Sequence, residues 1–249
     1  MIRQAEAHDL LRLRCDDPFY TRVLSLFESY GAGYDFVGFW AQECEGEFVS
    51  AISRFEDKFS LYLTDGSDIE EIAAFLSFQG AGSVMFNSRY SLELNSVKEI
   101  PGDVLVYKGE SYISDKEISI PDFKSLYDLL KSCESDIFIV PEYLMFLSDV
   151  THRSNLGKCT VIGAEIDGRL ASSVMTVSET DSSVILGAVA THPDFRRRGL
   201  SRELVRALAS RITLQGRTVY VFSASESNTR FYLGSGFEIS SGFKEMFLQ

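Results

Sequence analysis

Two places in this 249-residue sequence group residue types that could do chemistry. The first is Arg196-Arg197-Arg198-Gly199-Leu200-Ser201, which follows an apolar run and opens a stretch of helical periodicity. The first four backbone N–H groups of a helix have no internal partner and point outward at the positive end of its dipole. Gly199 lets a ligand approach the backbone closely, and the small Ser201 keeps the next turn open. With charge-assisted contacts from the three arginines, this is an anion site suited to a pyrophosphate. A solvated basic loop would have the same composition, and the residues alone leave both readings open. The second place is Tyr232, within SNTRFYLGSGFE at 227–238. A phenol with a reference pKa of ~10 is protonated at neutral pH and can serve as a proton donor. Packed between Phe231 and Phe237 it can equally be a core aromatic.

The elements that must position these residues occur twice along the chain. The first half carries FVGFWAQECEGEFVSAISRF at 36–55, SLYLTDG at 60–66, IEEIAAFLSFQG at 69–80 and SVMFNS at 83–88. The second carries TVIGAEIDGRLASSVMTV at 160–177, SVILGAVATH at 183–192, LSRELVRALASRITLQG at 200–216 and TVYVFSAS at 218–225. Each reads as strand, tight turn, strand, strand, helix, strand. Glu45-Gly46 and Asp167-Gly168 are hairpin turns, and Gly80 and Gly216 close helices. Leu200, Leu204, Leu208 and Ile212, with Val205 and Ala209 beside them, form the apolar face of a helix whose opposite face carries Arg202, Glu203, Arg206 and Arg211. The segments 17–31, 121–133 and 141–153 read as helices that each open at a proline in the first turn. SLELNSVKEIPGDVLVYKGE reads as two strands around a Pro-Gly turn. The second copy alone inserts THPDFRRR before its helix. The expected domains are 1–117 and 118–249, and the fold class is α/β (α+β), with two mixed, mostly antiparallel sheets flanked by helices.

Composition narrows the function. Hydrophobic residues at 45% with 24% charged describe a chain that folds around a core. A net charge of −12 argues against a general nucleic-acid binder or an anionic-membrane ligand. The charge is uneven: residues 1–120 hold 10 Lys/Arg against 21 Asp/Glu (net −11), and 121–249 hold 14 against 15 (net −1). The longest apolar run, Val184–Ala190, is seven residues, where a membrane-spanning helix needs ~20. With a polar N-terminus lacking a signal-peptide pattern, the expected location is cytoplasmic. Cys15, Cys44, Cys133 and Cys159 form no C-x-x-C pair and are expected as free thiols. His8, His152 and His192 show no ligand spacing, so no metal is expected.

AVATHPDFRRRGLSRELVRAL resembles the acetyl-CoA-binding motif of the GNAT superfamily of N-acyltransferases, whose pattern is Gln/Arg-x-x-Gly-x-Gly/Ala. It reads Arg196-x-x-Gly199-x-Ser201 here, with serine in the last place. Asn228, Tyr232 and Gly236-Phe237 resemble the family's second motif, with a shorter asparagine-to-tyrosine spacing than in many relatives. The resemblance spans about residues 121–249. The first half shares the pattern of elements but has no R-x-x-G-x-G, and so looks like a degenerate copy. The resemblance implies an N-acetyltransferase in which an amine attacks the thioester of acetyl-CoA directly. It places the cofactor against Arg196, Arg197, Arg198, Gly199, Leu200, Ser201 and Asn228, and draws oxyanion donors from the backbone of Val189, Ala190 and Thr191. Tyr232 becomes the general acid for the departing thiolate. Glu226, Glu179 and Asp181 are unassigned candidates for a base, His192 reads as a loop-stabilising residue, and Trp40 reads as core. The acceptor is a small-molecule or peptide amine, expected in the cleft between the halves, and the chain is a monomer or homodimer. Two other readings stand beside this one: a two-repeat acyltransferase resembling mycothiol synthase, and a non-catalytic acyl-CoA-binding module.

Overall fold

A computed structural model describes residues 1–12, 15–114, 117–135 and 138–249. The chain forms two compact units, Met1–Val104 with Ile239–Gln249, and Leu105–Glu238. This differs from the expected division at 117/118. The C-terminal strand is twelve residues long, and Phe243–Phe247 pair with Ser83–Asn87 of the first unit, so the end of the chain belongs there. Among the described residues no helix is long and apolar enough to cross a membrane.

In the first unit, β1 (Ile2–Gln4), β2 (Val37–Cys44), β3 (Glu47–Phe55) and β4 (Lys58–Leu63) pair antiparallel in sequence order. β5 (Ser83–Asn87) then joins β4 in parallel. Helix α1 (Ala7–Arg12) is short. Helix α2 (Pro18–Tyr30) starts with Pro18 in its first turn, as expected, under an Asp17 carboxylate that accepts from the amides of Phe19 and Tyr20. Helix α3 (Ile69–Phe78) buries Ile72 and Leu76 and is followed by Gly80 at φ +66°. Trp40 packs at the edge of this core against Phe59 and Phe75. The expected Pro-Gly turn is absent: β6 (Ser96–Tyr107) runs straight through Pro101-Gly102. A proline is compatible with extended backbone wherever its missing N–H is not needed by the ladder.

In the second unit the hairpin of β7 (Val161–Ile166) and β8 (Arg169–Glu179) turns at Asp167-Gly168, both at positive φ. β9 (Ser183–Thr191) pairs antiparallel with β8 and parallel with β10 (Thr218–Ser223). Helix α6 (Leu200–Thr213) lays Leu204, Val205, Leu208, Ala209 and Ile212 on one face of this sheet, against Ile162, Val174, Val184 and Val221. Each fully buried aliphatic side chain contributes about 1.5–3 kcal/mol. Helices α4 (Phe123–Lys131) and α5 (Tyr143–Asn155) cover the other face through Leu126, Leu130, Phe146 and Val150. The starts of these two helices depart from expectation. Pro121 and Pro141 stand one residue ahead of the caps, and Asp122 and Glu142 carboxylates accept from the first free amides, because those amides need an acceptor that proline cannot give. Helix α7 (Glu226–Leu233) follows β10 and precedes β11 (Phe237–Leu248).

The N-terminus is tied down by charge. Arg3 holds buried Asp9 through two hydrogen bonds of 2.6 and 2.8 Å, and the Glu6 amide donates to the same carboxylate. The Arg3 guanidinium is the main reason the Asp9 carboxyl titrates at about 2, below its ordinary range. A depressed carboxyl stabilises the folded state above its unfolded pKa of ~4 and loses that contribution as pH falls toward 2. Asp9→Asn is expected to lose about 1–3 kcal/mol at neutral pH. Its urea midpoint should also fall less steeply than the wild type's between pH 4 and 2; parallel acid limbs would contradict the assignment.

Candidate functional site

The site is built where β9 and β10 stop pairing. Their parallel register runs from Ser183/Thr218 to Leu186/Val221, yet β9 continues to Thr191 and β10 to Ser223. Two irregularities sit at this point. Thr176 and Ser178 of β8 face Leu186 and Ile185, so Val177 is an extra residue on β8. Ser173 and Met175 face Ala190 and Gly187, so β9 in turn carries an extra residue. Ala188 lies there at φ +46°, outside the usual range for an L-residue. A Cβ on Gly187 would stand 2.6 Å from Val177 Cγ1, which explains glycine between the two bulges. Bulges re-aim strands next to active sites, and strain of about 1–3 kcal/mol survives where the surroundings enforce it.

The parted strands open a cleft of about 790 Å³. Its lining brings together the residues that the resemblance set against the cofactor and the departing thiolate: Val189, Ala190 and Thr191 of β9, Arg196, Arg197, Arg198, Gly199, Leu200 and Ser201 at the opening of α6, and Asn228 and Tyr232 of α7. It also includes residues that the sequence reading did not assign to a site, among them Cys133, Ser135 and Phe138 after α4 and Phe222 and Ala224 at the end of β10. Cys133 donates its thiol to the Thr191 carbonyl at 3.4 Å. A lone cysteine 58 positions from its partner leaves no local pattern that could have marked it.

The opening of α6 is shaped for an anion. Gly199 caps the helix at φ +76°, ψ +4°, with no side-chain cap bond, so the amides of Leu200–Arg202 come before the first intrahelical acceptance, Glu203 N to Gly199 O. A Cβ on Gly199 would meet no protein atom within 4 Å. The space is open, and the positive φ selects glycine. Arg197 is also left-handed, at φ +64°. The guanidinium of Arg196 turns back to the Thr191 carbonyl through Nε at 3.2 Å. That of Arg198 stacks 5.3 Å from the Phe195 ring. His192 accepts from the Asp194 amide at 3.3 Å and caps the short 3-10 turn Pro193–Phe195, the stabilising part expected of it.

Tyr232 is 8% exposed, with its ring 5.1 Å from Phe231 and 5.6 Å from Phe237. It is thus both a packed aromatic and part of the cleft lining. Its hydroxyl has no hydrogen-bond partner among the described residues, and burial pushes its pKa up to about 12. Ser225 caps α7 by accepting from the Asn228 amide. The candidate bases do not join the cleft. Glu179 is buried at the far end of β8, 3.0 Å from Arg217, and Glu226 lies 3.6 Å from Arg230 on an exposed face. Asp181 is exposed in the β8–β9 turn. Among the described residues no cluster of His, Cys, Asp or Glu is arranged to hold a metal.

Residues 166–241 match the family model described as FR47-like protein. No curated protein matches the chain. Solved structures share its fold over nearly its whole length. A GCN5-related N-acetyltransferase from Sphaerobacter thermophilus is 14% identical, with TM-score 0.64, over 98% of this chain and 94% of that one. An acetyltransferase of the GNAT family from Colwellia psychrerythraea is 14% identical, with TM-score 0.59, over 100% of both chains. A tandem GNAT protein from the clavulanic acid biosynthesis pathway is 11% identical, with TM-score 0.57, over 94% of this chain and 89% of that one. The fold is that of the GNAT superfamily.

Because the Tyr232 phenol prefers its neutral form, it stabilises the folded state below the unfolded pKa of ~10, and that contribution is lost as pH rises toward 12. A phenolate absorbance titration should therefore give superimposable curves for wild type and Tyr232→Phe up to about pH 11. One fewer phenolate in the variant near pH 10 would show that the hydroxyl is solvated.

Proposed function

We propose that this GNAT-fold chain, with its FR47-like segment, is an acyltransferase that moves an acetyl group from acetyl-CoA to an amine. One observation carries the reading: the uncapped N-terminus of α6, the parted edge of β9 and the unpartnered Tyr232 hydroxyl all line a single cleft. The residues fit the cosubstrate. Free helix amides and arginines suit a diphosphate, and the open space at Gly199 allows it to approach the backbone.

Acetyl-CoA supplies an acyl group activated as a thioester. The amides of Leu200, Ser201 and Arg202 would hold the diphosphate oxygens, with Arg197 and Arg198 neutralising their charge. The backbone of β9 beyond the bulge presents N–H groups fixed in advance to a carbonyl oxygen that gains negative charge. Tyr232 Oη keeps its proton throughout the neutral range and supplies it where thiolate charge develops. No base is assigned to the amine. The acceptor is proposed as a small-molecule or peptide amine.

CoA release from acetyl-CoA, followed against a panel of polyamines, aminosugars and peptide amines, tests the proposal. Tyr232→Phe should lower kcat by ~10²–10⁴-fold. Gly199→Trp should abolish CoA binding in calorimetry. Turnover in Tyr232→Phe equal to the wild type's would remove the tyrosine from the acid role. Tight CoA binding without transfer to any amine would leave a binding module.

A further inference from the structure

Ser201 entered the motif as a small residue, yet its side chain has a definite arrangement. Ser172 of β8 is fully buried and its hydroxyl donates to the Ala190 carbonyl at 2.8 Å. A serine has one proton to give, so toward Thr191 Oγ1, also 2.8 Å away, Ser172 accepts. The Thr191 proton is then committed to Ser172. Ser201 Oγ, in hydrogen-bond contact with Thr191 Oγ1, is left as the donor of that bond. The direct Ser172–Ser201 approach is longer, at 3.3 Å. The donors run one way: Ser201 to Thr191, Thr191 to Ser172, Ser172 to the carbonyl of Ala190.

This relay starts in the first turn of α6 and ends on the peptide joining Ala190 to Thr191. The ladder shows where that peptide looks. His192 N donates to Ala171 O at 2.9 Å, which makes Ser172 and Thr191 the neighbouring non-bonded pair. The N–H and C=O of Thr191 therefore point away from β8, toward the side from which β10 has parted. Its carbonyl there accepts from Arg196 Nε and Cys133 Sγ.

We propose that Ser201 is a positioning residue: through Thr191 and Ser172 its hydroxyl fixes the 190–191 peptide at the parted edge of β9 relative to the amides that open α6. The catalytic consequence rests on the acetyl-transfer reading above. Under that reading, one element holds the diphosphate and another faces the reacting carbonyl, so their relative placement decides the rate. A misplacement of about 1 Å can cost ~10²-fold. One fully buried hydroxyl and two half-buried ones in series also polarise one another, so the relay is stiffer than isolated bonds.

Amide hydrogen exchange on wild type, Ser201→Ala, Thr191→Val and the double variant, with and without CoA, tests the relay beside kcat and the calorimetric Kd for CoA. In the ligand-free protein either single change should speed exchange of the β8-facing amides of Ala190 and His192 by about 10-fold, while the substitution at 201 lies on a different element. CoA should bind Ser201→Ala within about 3-fold of wild type, and kcat should fall about 10-fold or more. The double variant should be no worse than the worse single, because both remove the same bond. Unchanged exchange at Ala190 and His192, a lost CoA affinity with kcat kept, or losses that multiply in the double variant would each overturn the relay. If the wild type neither binds CoA nor is protected by it, the acetyl-transfer reading fails instead, and the ligand-free exchange still decides the relay.

Discussion

The unmade part of a β-ladder organises this molecule's candidate site. Parallel strands normally satisfy each other's backbone to the end, since a buried peptide group without a partner costs about as much as a lost hydrogen bond. Here β9 and β10 separate after Leu186 and Val221, and five residues of β9 go on without that neighbour. Such an edge persists because something else holds it. Antiparallel pairing to β8 continues on one side. Arg196 and Cys133 occupy the Thr191 carbonyl on the other. What remains is a set of backbone donors facing a cleft.

Around that edge, local conformations that are costly in isolation accumulate. Ala188 and Arg197 are both left-handed without being glycine, and Gly199 is left-handed at the opening of α6. They lie within twelve residues, on either side of the turn that carries the chain from strand to helix. Elsewhere among the described residues, left-handed non-glycine positions fall at Glu45, Glu56 and Asp167, all in hairpin turns, where that geometry is the ordinary requirement of the turn. Strain away from such turns is thus concentrated where the cleft opens, as expected if the packing of α6 on the sheet is strong enough to impose it.

The two units share an order of elements but differ at the start of the corresponding helix. In the first, Gly80 closes α3 and β5 follows, as Gly216 and β10 follow α6 in the second. The first unit connects β4 to α3 by a short turn in which Asp68 caps the helix with its own carboxylate. That side chain takes the amide that α6 leaves open at Gly199. A capped helix has less left to offer an anion, so α3 lacks the fully open first turn that α6 presents.

Much of this was legible in the sequence, because local physics is written locally. Glu45-Gly46 and Asp167-Gly168 mark their turns, and the spacing of Leu200, Leu204, Leu208 and Ile212 settles the buried face of α6. The residues from Arg196 to Ser201 and Tyr232 could be named from the same text. Where the local signals misled, a neighbour intervened. Asp122 and Glu142 displaced Pro121 and Pro141 as the helix starts by accepting the free amides, and Pro101-Gly102 stayed extended within a long strand. The parting of β9 from β10, the two bulges around Gly187, the place of Cys133 and the company kept by the Ser201 hydroxyl were settled only by the tertiary structure. Each depends on which backbone or side chain arrives opposite, often dozens of positions away, and residue type and spacing carry no record of that.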